Sequence, residues 1–94
     1  SQPTNFVPRF AQTLGLSSRV QRRATSVLEH ARAKGITAGK DPTGLAASAL
    51  YISAIMEGER RTQREIAEVA HVTEVTVRNR YKELVRELEL AVEY

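Results

Sequence analysis

The residues best placed to do chemistry lie between positions 62 and 88 of the 94-residue chain. Thr62-Gln63-Arg64-Glu65 is a capping box, T-x-x-E, which opens a helix by satisfying two of its free N–H groups reciprocally. Ile66, Ala67, Val69 and Ala70 continue that helix, and the pattern breaks at His71-Val72-Thr73. Thr73 caps a further helix, with Glu74 in its first turn, where an acid favours the helix dipole. Val77, Tyr81, Leu84, Val85 and Leu88 fall on one stripe of it and read as buried. Glu74, Val75, Thr76, Arg78, Asn79 and Lys82 then face outward near its N-terminal end.

A short helix, a tight turn and a second helix make a helix-turn-helix. In a DNA-binding version, the N-terminal end of the second helix enters the major groove. The chemistry there is the reading of base edges. Arg78 can give two hydrogen bonds to guanine O6 and N7, and Val75 can meet a thymine methyl. Thr76 and Asn79 are the neighbouring base-reading candidates. Arg64, Gln63, Thr73 and Lys82 are candidates for phosphate contacts that fix register. The turn usually carries glycine where His71 stands, and histidine is among the residues that tolerate a left-handed backbone. A competing reading leaves Arg78, Arg80, Lys82 and Arg86 solvated, or paired with Glu74, Glu83 and Glu87 at helical spacing. Residues 62–88 carry five bases and five acids, so local charge does not choose between the two.

Three earlier elements must position this motif, and no convincing strand is visible. Phe6–Leu14 reads as a helix, with Pro8 in its first turn and Gly15 as the residue that ends it. Ser18–Ala33 reads as a second, opened by a Ser18/Gln21 capping box and closed by Lys34 and Gly35. Its stripe is Val20, Ala24, Val27, Leu28 and Ala31, and Arg19, Arg22, Arg23 and Arg32 lie opposite. The third starts at Asp41-Pro42, an N-cap followed by proline at the first helical position, and closes at Gly58. Apolar on most sides, it reads as the centre of an all-α domain. The five glycines read as helix ends and connections. Residues 1–5 read as a linker tail, 6–90 as the domain and 91–94 as a C-terminal tail.

Composition excludes several classes of function. With no cysteine, the chain forms no disulfide and no zinc finger and offers no thiol nucleophile. His30 and His71 are the only histidines, and neither stands at metal-ligand spacing such as H-E-x-x-H. Glu57 and Glu59 flank what reads as an exposed turn rather than a cleft. No glycine-rich phosphate loop is present. The chain therefore reads as neither an enzyme nor a cofactor carrier. Its longest uncharged run, Pro42–Met56, is 15 residues, short of the roughly 20 a membrane span needs. No apolar stretch near the start fits a signal peptide, and beginning at Ser1 the sequence reads as a piece of a longer chain. The formal charge is +3, but residues 1–40 carry +6 and residues 41–94 carry −3. The positive excess puts a polyanion or partner face at Arg19, Arg22 and Arg23.

The stretches RFAQTLGLSSRVQRRA, KDPTGLAASALYISA and RRTQREIAEVAHVTEVTVRNRYKEL resemble the TFIIB family, specifically the second cyclin-like repeat of its archaeal form. The resemblance runs from about Phe6 to Leu90 and is most specific in the last stretch. It implies a five-helix cyclin-like domain ending in a helix-turn-helix that reads the upstream B recognition element in the major groove. It also implies partnership with promoter DNA, the TATA-binding protein and RNA polymerase, in a cytoplasmic, nucleoid-associated setting. The family's base-contacting Val and Arg fall on Val75 and Arg78. The resemblance does not choose between DNA phosphate and polymerase for the face at Arg19, Arg22 and Arg23. The domain is expected to be monomeric and to bind DNA weakly alone, because linked modules gain through effective concentration. The alternative is a cyclin-like protein-interaction module without base readout.

Overall fold

The longest uncharged stretch of the chain becomes the centre of the domain. The structure, a computed structural model, describes residues 2–94. Helices run over Val7–Leu14 (α1), Ser18–Ala33 (α2), Pro42–Met56 (α3), Gln63–Ala70 (α4) and Glu74–Leu88 (α5). No strand occurs among the described residues. In α3 every residue from Gly44 to Ala54 is buried. It packs against each of the other four helices, which is why its apolar residues need no single face. Alanines at 46, 47, 49 and 54, all inaccessible to solvent, let those neighbours approach closely.

Caps fix where the helices begin. Asp41 accepts from the Thr43 amide at 2.9 Å and leaves Pro42 at the first helical position. Thr62 and Glu65 complete the capping box in both directions, at 3.0 and 2.9 Å. Thr73 accepts from the Thr76 amide at 3.1 Å. Each such cap is worth about 1 kcal/mol. The start of α2 differs from expectation. Ser17, not Ser18, is the N-cap, with its hydroxyl accepting from the Val20 amide. Gln21 gives its amide to the Ser17 carbonyl instead of closing a box.

The ends are more ordered than the sequence suggests. Pro3–Phe6 form a 3-10 turn that packs on α2 and α3, where a linker tail was expected; Ser1 lies outside the described residues. At the other end Val92 packs on the core, and the Tyr94 ring meets Tyr81 edge-on at 4.9 Å. Tyr81 in turn stacks on Tyr51 of α3 at 4.6 Å. In the Glu57–Glu59 turn Gly58 is exposed and the two acids are half-buried. Glu59 takes both the amide and the hydroxyl of Ser17, at 2.9 and 2.6 Å. These bonds hold its carboxyl below the usual carboxylate range. No helix among the described residues is long and apolar enough to cross a membrane.

Candidate nucleic-acid interface

The helix-turn-helix forms as the sequence pattern requires. His71 ends α4 with φ 57°, a left-handed residue whose amide returns to the carbonyls of Ala67 and Glu68. Val72 closes the turn from inside, half-buried, and its amide reaches the Ala67 carbonyl at 3.1 Å. Ile66 and Ala67 of α4 and Val77, Tyr81 and Leu84 of α5 are buried in the common core. Gln63 donates to the Tyr81 hydroxyl at 3.0 Å, which ties the start of α4 to the middle of α5. Burial of Tyr81 raises its phenol pKa, so it stays protonated.

The outward end of α5 is where the candidates separate. Val75 is 55% exposed, one of two large apolar residues that the fold leaves in solvent. Burying Val75 against a ligand is favourable, since leaving it in water is not. Asn79 and Lys82 are exposed, and Arg78 is half-buried. Arg78 and Lys82 make no ion pair among the described residues, whereas Arg80 pairs with Glu83 at 3.8 Å and Arg86 with Glu87 at 3.2 Å. Of these four, pairing at helical spacing thus occurs for Arg80 alone; Arg86 pairs with its chain neighbour and Lys82 is solvated.

Thr76 behaves differently from its neighbours. It is half-buried, its hydroxyl is bonded to that of Thr73 at 3.0 Å, and its methyl lies over Gly44 of α3. Its side chain is turned to the scaffold rather than to solvent. Gly44, which the sequence reading placed among helix ends and connections, sits inside the first turn of α3.

Around the start of α4, Arg60, Arg61, Arg64 and Arg78 share a cleft of about 430 Å³ with Glu74 and Gln63. Arg64 is exposed and its pair with Glu68, at 3.7 Å, is loose. An exposed pair of this kind contributes little and yields readily to a phosphate. Arg60 joins this group without any signal in the sequence pattern, because nothing local says which way a residue before a cap will face.

On α2, Arg19 and Arg23 converge on the one carboxylate of Glu57. Their side chains remain 64% and 41% exposed, with Glu57 at 17%. Arg22 alone of the three has no ion-pair partner among the described residues. The expected basic face is therefore partly neutralised by an acid from the end of α3.

An all-α domain wrapped on a central apolar helix and closed by a helix-turn-helix has the architecture of a cyclin-like repeat. A family model described as "Transcription factor TFIIB repeat" matches residues 1–87, and the chain belongs to that family. It is 64% identical over 91 residues to Transcription initiation factor IIB 1 of Thermococcus kodakarensis, covering 97% of the chain and 30% of the relative. Transcription initiation factor IIB of Methanopyrus kandleri is 62% identical over 84 residues, 89% of the chain and 27% of the relative. The protein of the same name from Saccharolobus shibatae is 55% identical over 92 residues, 98% of the chain and 30% of the relative. The chain thus spans under a third of the length of these relatives. Their names are those of initiation factors, and the chain is a transcription-factor repeat rather than an enzyme.

Proposed function

We propose that this chain is the second cyclin-like repeat of an archaeal transcription initiation factor and reads the upstream B recognition element in the DNA major groove through α5. In this reading Arg78 bonds a guanine, Val75 meets a thymine methyl and Asn79 reaches an adjacent base edge or phosphate. Thr73, Gln63, Arg64 and Lys82 serve positioning: Lys82 and Arg64 toward phosphate, Thr73 as the cap of α5 and Gln63 through Tyr81. Reading this element orients the complex of the TATA-binding protein and RNA polymerase on the promoter. The repeat acts as a monomer within its factor, inside the cell and on nucleoid DNA.

One observation carries the reading. At the end of α5 that a helix-turn-helix offers to the groove, the structure leaves an apolar side chain in solvent and an arginine without a carboxylate, while arginines further along the same helix are paired. A gel-shift assay with the full-length factor, the TATA-binding protein and promoter DNA tests it. Arg78→Ala should relax preference at one guanine by about 1–3 kcal/mol, with general affinity little changed. Val75→Ala should relax preference at one thymine by a smaller margin. If both variants keep the parent's sequence preference, base reading fails and the protein-interaction module takes its place.

A further inference from the structure

Gly44 stands at the third position of α3, buried and helical. The other four glycines have φ between 68° and 76°, where side chains are disfavoured; Gly44 is not among them. Its backbone suits any residue, and alanine is the better helix former there. What glycine provides is space. A Cβ at position 44 would lie 3.1 Å from Thr76 Cγ2, inside the optimal carbon–carbon separation of about 3.5–4.0 Å.

Thr76 has little freedom to step aside. It is β-branched and therefore stiff about χ1. Its hydroxyl is bonded to the Thr73 hydroxyl at 3.0 Å, and its amide is capped by that same oxygen at 3.1 Å. A methyl group added at Gly44 would push the first turn of α5 outward by a few tenths of an ångström. Val75 and Arg78 ride on that turn and the next.

We propose that Gly44 and Thr76 form the seat that sets the depth and tilt of the reading end of α5, so that the missing Cβ at position 44 is a determinant of sequence specificity. Both are positioning residues that act through Val75 and Arg78. The inference rests on the base-reading function proposed above. Two-bond recognition of a base edge depends on direction as well as distance, so a small displacement of the turn weakens the specific contact while leaving phosphate contacts intact.

The test uses the full-length factor with the TATA-binding protein on duplexes randomised upstream of a TATA element. The quantity read is the ratio of affinity for the selected sequence to affinity for the unselected pool. Four proteins are compared: the parent, G44A, T76S and the double variant. G44A should lower the ratio roughly five- to tenfold, a fraction of what losing a two-bond base contact costs. Affinity for the pool and its salt slope should not move, because the phosphate contacts persist. T76S removes the methyl and keeps the hydroxyl, so in that background G44A should change the ratio by less than about twofold, the signature of coupled sites. A G44A ratio equal to the parent's overturns the inference, and so does an equal loss in both backgrounds. A parent with no sequence preference refutes base reading itself and this inference with it. Thermal unfolding is followed for each protein. If G44A does not fold, the double variant must fold and match T76S, and its failure to do so overturns the seat.

Discussion

Replacing Arg61 should loosen the joint between the first helix and the helix-turn-helix. Its guanidinium donates to the carbonyls of Leu14 at 2.9 Å, Gly15 at 3.3 Å, Glu59 at 3.1 Å and Arg60 at 3.2 Å. Leu14 and Gly15 are the C-terminal end of α1, where carbonyls lack helical partners and a cation meets the negative end of the dipole. Hydrogen bonds to a charged group contribute about 1.5–3 kcal/mol each when well sheltered. Here four acceptors share one half-buried group, and water replaces part of what is lost, so the contributions do not add. Arg61→Ala should therefore cost about 2–3 kcal/mol, against a total of roughly 5–14 kcal/mol for a domain of this size. At about 4–8 °C per kcal/mol, the melting temperature should fall by roughly 10–20 °C. Arg61→Lys keeps the charge but loses the planar fork, and should recover less than half of that. Urea unfolding of the three proteins, with unchanged slope, measures the difference. An Arg61→Ala variant within about 0.5 kcal/mol of the parent would mean that these bonds are no better than bonds to water. A lysine variant as stable as the parent would mean that charge, not the fork, is what matters.

Ser53 of α3 is fully buried and its hydroxyl has no partner among the described residues. Ser53→Ala should stabilise the domain by about 1 kcal/mol in thermal unfolding, and a destabilised variant would reveal a partner for that oxygen. His71→Gly should raise stability by about 0.5–1 kcal/mol, since φ 57° suits glycine better; a loss would mean that the imidazole packs usefully over the turn. Hydrogen bonds from the Ser17 hydroxyl and amide hold the Glu59 carboxyl below its ordinary range, as the Thr62 amide and hydroxyl do for Glu65. The Thr43 hydroxyl and amide do the same for Asp41. The folded chain then binds these protons less readily than the unfolded one. Their stabilisation is complete above the unfolded value, about 4, and is lost as pH falls through the lower folded values. Melting temperature followed from pH 6 to pH 2 should drop less steeply in Glu59→Gln than in the parent, and parallel curves would sink the assignment.

What the sequence made legible follows the range of the interactions involved. The caps at Asp41, Thr62 and Thr73 can be read directly, because a side chain and an amide two or three residues away decide them. The stripe of α5 and the all-round burial of α3 are equally local, being matters of period. The misplaced cap of α2 shows the boundary of this legibility. Ser17 and Ser18 are both good capping residues, and the choice between them is made by Glu59, 42 residues further on, which takes the Ser17 amide and hydroxyl. Gly44 is the same kind of case. Near the start of the helix it reads as one more glycine at a helix end, and only the approach of Thr76 from another helix explains what its missing Cβ does inside α3. Thr76 was read as outward for the converse reason: its angular position on α5 lies at the edge of the buried stripe, and the empty space over Gly44 draws it in.

Charge gives the sharpest instance. By count, residues 1–40 hold the positive excess and the helix-turn-helix is neutral. In three dimensions Arg19 and Arg23 are drawn to Glu57, and Lys40 to Glu83 at 2.8 Å. Arg9 lies over the rings of Phe6 and Phe10, each 5.5 Å from its guanidinium carbon. Much of the excess is thus engaged within the fold. Over 62–88 the neutral count hides a different division: Glu65 is occupied in a capping box, Glu83 with Lys40 and Arg80, and Glu87 with Arg86, while Glu74 stands exposed with no ion pair among the described residues. Arg78 and Lys82 are left over, and Arg64 is held only by a loose exposed pair. A phosphate or a guanine meets the cations that remain free rather than those in the composition. In the proposed function, the electrostatic part of DNA binding would then belong beside the N-terminal end of α5, with the α2 face contributing chiefly through Arg22.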